Sequence, residues 1–235
     1  KIQINKKEVS KTPTISISAE DVNDCPRYVG GLVTEVSVCP SPVWMQDRLV
    51  AAGQRPINIL VDISNFVLLE FGQPTHIFDY DKLGNNMIHV RRAVKGDSIT
   101  TLDQNQYKLN NDHLVITNGK VPVALAGVMG GYDSAVDDDT KNILIESAYF
   151  NPVTIRKGSK VLAISTEASK RFERGADPDA SLEAFWRVVN LVEEYAGGGF
   201  EGDFIDHYPE KIKVDPIKIR KSELELLLGL KIEDD

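Results

Sequence analysis

Apolar residues recur at helical spacing in four segments of the chain. The clearest case lies between residues 58 and 71, where one face is formed by Leu60, Ile63, Val67, Leu68 and Phe71. This stripe predicts an amphipathic helix with one buried face, capped by Asn58 and ended by Gly72. The same reasoning predicts helices over residues 42–52, 152–162 and 178–196.

Residues that favour helix starts mark further boundaries. Ser41 and Asp177 each stand directly before a proline, an arrangement that predicts a capping residue followed by the first helical position. Ser165 or Thr166 can cap a short helix that carries a basic cluster at 170–174. Asp79 is better suited to capping the following YDKL turn than to forming a carboxylate pair.

Short apolar runs of β character fill the centre of the chain. Segments 27–38 and 142–150 predict strands, and Asn118-Gly119 between two apolar runs predicts a hairpin with a two-residue loop. Pro122 then indicates an edge strand or a bulge. Helices and strands together predict an α+β fold in which helices pack on mixed or antiparallel sheet layers.

Composition narrows the class of protein. With 42% hydrophobic and 26% charged residues the chain is typical of a soluble globular protein, and a net charge of −8 argues against extensive phosphate binding. A brief contact with a nucleic-acid end stays open. Two cysteines are too few for a disulfide framework or a thiolate zinc site, which favours a reducing, cytoplasmic setting. We expect no membrane span and no signal peptide, and we interpret the chain as a piece of a longer protein.

Conventional catalytic motifs are absent, and each candidate residue has a structural alternative. His76 follows a Gly-Gln-Pro turn, yet no set of converging ligands accompanies it, so we expect no metal. Glu146 could face solvent from its strand, and Ser64 and Asn65 could be ordinary helix-surface residues. The glycine-rich segment 126–131 could be a plain bulge or turn. The basic cluster could be a solvated face.

Four long motifs nevertheless occur in a recognisable order: GQPTHIFDYDKL, ALAGVMGGYDSAV, NILIESAYFNPVTIRKGSK and STEASKRFERGADP. Together they resemble the editing (B3/B4) domain in the β subunit of bacterial phenylalanyl-tRNA synthetases, over about residues 25–205. Residues 1–24 would form a leading segment. Residues 206–235 resemble the start of the next domain of that subunit.

The resemblance implies an activity, namely hydrolysis of the ester that joins tyrosine to the 3′ end of tRNA(Phe). It implies no cofactor for this domain, whereas the parent enzyme uses ATP and magnesium. It also implies contact with tyrosine, phenylalanine and the tRNA 3′ end, and an α subunit as partner in a heterotetramer. The alternative is a non-catalytic module that binds an RNA end or braces subunits.

Selection of tyrosine needs a site that requires its hydroxyl, because an apolar pocket rejects an added hydroxyl only about 10²-fold. Glu146 suits this role, since a buried acceptor left unpaired beside phenylalanine costs ~1–3 kcal/mol. We expect His76, Asn65, Thr166 and backbone N–H groups near the glycine-rich segment to position the attacking water; whether His76 acts as a base or only orients the water stays open, and the lack of a partner carboxylate favours orientation. The resemblance assigns substrate binding to Glu146, Ser64, Arg55, Gly130 and Ala168. Ser64 replaces the family's common threonine, and we expect the pocket between helix 58–72 and the sheet that carries Glu146.

Overall fold

The computed structural model of the protein describes residues 4–7, 12–213 and 215–233. Its helices are α1 (Val43–Ala51), α2 (Ile59–Phe71), α3 (Tyr80–Leu83), α4 (Pro152–Val161), α5 (Glu167–Phe172), α6 (Ala180–Tyr195) and α7 (Lys221–Leu228). Its strands are β1 (Ser16–Ala19), β2 (Arg27–Val36), β3 (Thr75–Asp79), β4 (Met87–Arg92), β5 (Ser98–Thr100), β6 (Gln106–Lys108), β7 (Leu114–Thr117), β8 (Pro122–Leu125), β9 (Met129–Gly130), β10 (Ile143–Tyr149), β11 (Gly197–Gly199) and β12 (Phe204–His207).

A central sheet with the order β11-β2-β10-β3 organises the molecule, and β12 also pairs with β2. β10 runs antiparallel to both β2 and β3, so it lies between two long neighbours. Its register places Glu146 opposite Gly30 on one side and opposite His76 on the other. Side chains alternate between the two faces of a sheet, and directly opposed residues share a face.

Both faces of the central sheet are covered, and this explains why β10 carries buried apolar residues on each face, with Ile143 and Ile145 on one and Leu144 and Ala148 on the other. Helices α1, α2 and α6 pack on one face, where Ile145 joins Ile63 and Phe185 in a buried cluster. A second sheet, β1-β4-β7-β8-β9, covers the other face, where Leu144 and Tyr28 belong to a separate cluster. The second sheet is mixed, since β1 is parallel to β4 and the other pairs are antiparallel. The predicted α+β layers are confirmed.

Local signals placed several helix ends correctly. The Asn58 side chain accepts a hydrogen bond from the Val61 N–H at the start of α2, and Gly72 ends that helix with a φ of 69°. Asp79 caps α3, as predicted, by accepting from the N–H groups of Asp81 and Lys82.

Two predicted caps are wrong because tertiary or turn contacts occupy the side chains. Ser41 does not cap α1, since its hydroxyl donates to Asp62 Oδ2 at 2.6 Å and Pro42 stands at the cap position. The Asp177 carboxylate accepts from the Asp179 N–H at 2.9 Å and so closes a turn before the helix. Helix α6 therefore begins at Ala180, two residues after the predicted start.

The β7–β8 hairpin also differs from its prediction. Its loop has four residues, 118–121, instead of two. The Asn118 side-chain oxygen accepts from the N–H groups of Lys120 and Val121, which stabilises the wider loop. The register shifts between Ile116 and Thr117, so the bulge indicated by Pro122 is present, while β8 itself lies between β7 and β9. Within the described ranges, every helix is too short or too polar to cross a bilayer.

Candidate functional site between the two sheets

Glu146 lies in the middle of β10 and points towards the second sheet. It shares that face with Leu144 and Ala148, which pack in the cluster between the two sheets, whereas Ile145 packs against the helices. Only 6% of Glu146 is exposed. Helix α2 covers the opposite face, so the expected pocket beside helix 58–72 does not reach Glu146 from the helix itself, whereas His76, which follows the turn after α2, shares the Glu146 face.

Among the described residues, one hydrogen bond anchors the Glu146 carboxyl. The Tyr28 hydroxyl donates to Oε2 at 3.1 Å, and both side chains are buried. Burial raises the pKa of Glu146 from an ordinary 4.5 to about 8, and the bond from Tyr28 opposes this rise. A buried carboxyl favours its neutral form because the charge loses hydration. Glu146 is thus largely protonated at neutral pH.

His76 stands directly beside Glu146 on β3. Its ring meets Phe78 edge-on, with centroids 4.4 Å apart, and its Nε2 is enclosed without a hydrogen-bond partner among the described residues. Burial lowers the pKa of His76 from 6.5 to about 4. The imidazole is therefore neutral at physiological pH, and its free nitrogen can exchange a hydrogen bond with a bound group.

Gly130, on β9 of the second sheet, completes this contact from the other side. A Cβ at this position would lie 2.5 Å from His76 Cε1 and 2.7 Å from Nε2. Such distances are far inside van der Waals contact, so the observed position of the imidazole requires glycine. The resemblance assigned substrate binding to Gly130, and in the structure the space beside this glycine holds the His76 ring.

Thr166 caps α5 and ties it to the glycine-rich segment. Its hydroxyl donates to the Val128 carbonyl at 2.8 Å and accepts from the Ser169 N–H at 3.0 Å, while the Ser169 hydroxyl accepts from the Thr166 N–H. These contacts form a capping box. Ala168, in the first turn of α5, packs against the cluster between the sheets. The two residues thus lie beside the segment that carries Gly130.

The α2 residues approach the same strand from the helix side. Ser64 Oγ donates to the Thr75 carbonyl at 2.6 Å and lies 3.0 Å from Thr75 Oγ1, so it fastens α2 to β3 one residue before His76. The half-buried Asn65 side chain makes no hydrogen bond within the part of the chain described. Arg55 is exposed in the loop before α2 and forms no ion pair with another described residue. Among the described residues Arg55 makes no hydrogen bond or ion pair with Glu146 or His76.

Sequence reasoning missed two residues that support the pair. Tyr28 lies in β2, where no local motif marks it, and its contact with Glu146 spans 118 positions. Gln73 is fully buried in the Gly-Gln-Pro turn, where its amide donates to the Ala148 carbonyl at 2.7 Å and so binds the turn to β10. Its position inside the motif before His76 was the only available signal.

Other charged groups do not converge on the pair. Lys170 and Arg171 in the basic cluster both contact Glu167 on their own helix. Among the described residues, no three His, Cys, Asp or Glu side chains are arranged to hold a metal ion. Between the sheets the described residues bring together the Glu146 carboxyl, the His76 imidazole and the Tyr28 hydroxyl.

Comparison with known proteins identifies the architecture. A model of the family described as "B3/4 domain" matches residues 24–197. The chain belongs to the B3/4 domain family. It is 43% identical over 221 residues to the phenylalanine–tRNA ligase β subunit of Halalkalibacterium halodurans, covering 94% of this chain and 27% of that protein. It is 53% identical over 192 residues to the protein of the same name from Geobacillus kaustophilus, covering 82% of this chain and 24% of that protein.

The expected resemblance is thus confirmed, and the chain spans about a quarter of the length of the curated relatives it matches. A solved N-terminal fragment of the phenylalanyl-tRNA synthetase β subunit from Pyrococcus horikoshii has the same fold, with a TM-score of 0.53 and 15% identity. The alignment covers 98% of this chain and 64% of the fragment.

Proposed function

We propose that this B3/4 domain is an editing hydrolase that cleaves tyrosine from the 3′ end of mischarged tRNA(Phe). The observation that supports it best is the direct pairing of Glu146 with His76 between the sheets. Glu146 can recognise a phenol, and His76 can contact the ester end of the substrate. The names of the relatives support the choice of tRNA, since each is a phenylalanine–tRNA ligase subunit.

Glu146 would select tyrosine by pairing with its phenol. A buried carboxyl that finds no partner beside phenylalanine costs ~1–3 kcal/mol, whereas tyrosine supplies the missing oxygen. Because the free carboxyl is largely protonated, its O–H can donate to the phenol oxygen, and an ionised carboxylate would accept from the phenol instead. Either pairing disfavours phenylalanine, so the cognate product is spared.

His76 would orient the attacking water instead of removing its proton, since an imidazole with a pKa of about 4 is a weak base. Water attacks the ester carbonyl, the bond to the ribose oxygen breaks, and that oxygen takes a proton. In segment 126–131 the N–H groups of Ala126, Val128 and Gly131 already donate to backbone carbonyls, so the Gly127 N–H would be the donor that stabilises the oxyanion. An aminoacyl ester is already activated, so the proposed step uses no cofactor.

The remaining residues would support substrate binding around this pair. Asn65, whose amide is free, would help to position water at the edge of β3, and Ser64 would hold α2 in place for it. Thr166 and Ala168 would border the terminal adenosine, and Arg55 would contact the RNA backbone. We also propose that the domain covers residues 25–205, that 206–235 open a following domain, and that an α subunit assembles with the whole protein.

The test compares hydrolysis of Tyr-tRNA(Phe) and Phe-tRNA(Phe) by the intact synthetase that contains this chain. We expect the unmodified enzyme to hydrolyse the tyrosine ester about 10- to 100-fold faster, because phenylalanine leaves a buried group unpaired. We expect Glu146→Ala to lose this preference. Glu20→Ala, at an exposed position, is the matched control. Equal rates on both esters in the unmodified enzyme would reject the proposal.

The second candidate function is RNA-end binding without chemistry. The commitment of the Thr166 hydroxyl to two structural hydrogen bonds favours it, because that group is less free to act on a substrate. This function predicts tRNA binding with no deacylation, unchanged by His76→Ala. The editing function predicts that His76→Ala slows deacylation by ~10²-fold, the scale on which misplacing a reacting group slows a reaction.

A further inference from the structure

Tyr28 provides the only hydrogen bond that the described residues make to the Glu146 carboxyl. It lies on β2, two positions along from Gly30, which is directly opposite Glu146. This diagonal relation brings a long side chain within reach across the strand pair. Oε1 of Glu146 has no partner in the described part of the chain.

The Tyr28 ring is buried beside Gly30. It is fully buried, and a Cβ at Gly30 would lie 2.5 Å from Ile17 Cδ1 and 3.5 Å from Tyr28 Cε1. Glycine at position 30 thus lets Ile17 of the second sheet pack where a side chain would otherwise stand. Burial, followed by the adjacent Glu146 carboxyl, raises the pKa of Tyr28 well above its ordinary value. The hydroxyl therefore remains a donor at neutral and moderately alkaline pH.

We propose that Tyr28 is a positioning residue for amino-acid selection, which fixes Oε2 of Glu146 and leaves Oε1 to meet the phenol of the substrate. This inference rests on the proposed editing function and deepens it. The protein's own phenol occupies one oxygen of the carboxyl, and the substrate's phenol occupies the other.

The direction of the Tyr28 bond determines what Oε1 offers. Because the Tyr28 hydroxyl occupies Oε2, Oε1 is the oxygen left for the substrate, and a protonated Glu146 with its hydrogen on Oε1 presents an O–H there. That O–H then donates to the phenol oxygen of tyrosine, and phenylalanine leaves it unpaired. Without Tyr28, the carboxyl could rotate and exchange its two oxygens, so a smaller share of molecules would present the donor.

The test measures deacylation of both esters by the intact synthetase carrying Tyr28→Phe. We expect KM for Tyr-tRNA(Phe) to rise by about 3- to 10-fold, because one hydrogen bond is lost. We expect kcat and the rate of Phe-tRNA(Phe) hydrolysis to change little. Tyr107→Phe is the matched control, because its hydroxyl also donates to a carboxylate, Asp103, at 3.0 Å on an exposed hairpin. Thermal unfolding of both variants checks that the fold persists.

A double-mutant cycle with Glu146→Ala separates positioning from general support of the fold. If Tyr28 acts through Glu146, adding Tyr28→Phe to Glu146→Ala changes the tyrosine preference no further. If Tyr28→Phe left the tyrosine preference unchanged, or slowed hydrolysis of both esters equally, the role of Tyr28 would be overturned. A loss of the preference in Glu146→Ala would still support editing in that case. Failure of the unmodified enzyme to hydrolyse Tyr-tRNA(Phe) would overturn both.

Discussion

Burial shifts the pKa values of Glu146 and His76 in opposite directions. It raises the pKa of Glu146 to about 8 and lowers the pKa of His76 to about 4. Both shifts favour the neutral form of the group, as expected where hydration is lost. Two adjacent side chains that are ionisable in water therefore carry almost no charge between these strands at neutral pH.

The pH dependence of unfolding should reveal this pair. The folded state keeps the Glu146 proton between about pH 4.5 and 8 while the unfolded state has lost it, so this residue's contribution falls as pH rises. His76 acts oppositely, since its contribution is lost as pH falls from 6.5 to about 4. Between pH 4.5 and 6.5, the contributions of Glu146 and His76 to the pH dependence of the unfolding free energy offset each other. Above 6.5 the slope from Glu146 is unopposed, on the order of 1 kcal/mol per pH unit.

Replacing Glu146 with Gln tests this directly, because glutamine keeps the shape and removes the titration. We expect the variant to gain stability relative to the unmodified protein as pH rises from 6.5 to 8, measured by urea unfolding at several pH values. Glu20→Gln, at an exposed position, should show no such gain. A difference independent of pH would mean that Glu146 is not held neutral in the folded protein.

At the scale of elements, the site depends on the register of three strands and on one close approach between sheets. β2, β10 and β3 align Tyr28, Glu146 and His76 on one face, and β9 brings Gly130 against the imidazole. The approach leaves no space for another carbon atom. The second sheet therefore determines where the His76 ring lies.

Gly130→Ala should displace His76 with modest damage to the fold. Forcing a methyl group into a packed contact costs about 1–3 kcal/mol, and the backbone at Gly130 has no positive φ to add strain. We expect a loss of Tyr-tRNA(Phe) hydrolysis of at least ~10-fold, assayed with the intact synthetase below its unfolding temperature. Gly199→Ala is the control, since no atom lies within 4 Å of a Cβ there. Full activity in Gly130→Ala would show that the ring position is unimportant.

Elements governed by neighbouring residues were predictable, and those governed by distant ones were not. Asn58 and Gly72 mark the two ends of α2 through hydrogen bonds to residues no more than four positions away. The sequence alone therefore predicted both ends. Ser41 has the composition of a cap, yet it binds Asp62, 21 positions away. Glu146 was recognised as a candidate, but its face could not be assigned because both faces of the sheet are buried.

At the scale of the whole molecule, a buried arginine joins segments that are far apart in sequence. Arg27 Nε and Nη2 donate to the two carboxylate oxygens of Asp206 at 2.9 and 2.7 Å, which links β2 to β12. Nη1 donates to the Pro178 carbonyl at 2.9 Å, ahead of α6. Bidentate pairs of this kind combine charge with fixed geometry. The central sheet, its last strand and its longest helix thus meet at one side chain.

Arg27→Met should therefore loosen the molecule along the β2–β12 edge. Removing one partner of a fully buried ion pair costs about 3–5 kcal/mol, and we expect the lower end or somewhat less because the Asp206 side chain is 25% exposed. Urea unfolding measures the loss, and Arg174→Met, at an exposed position, is the control. Adding Asp206→Asn should recover part of the stability, because it removes the carboxylate charge that lost its arginine partner. If Arg27→Met were as mild as Arg174→Met, the edge would be held by strand pairing and packing instead of by the arginine.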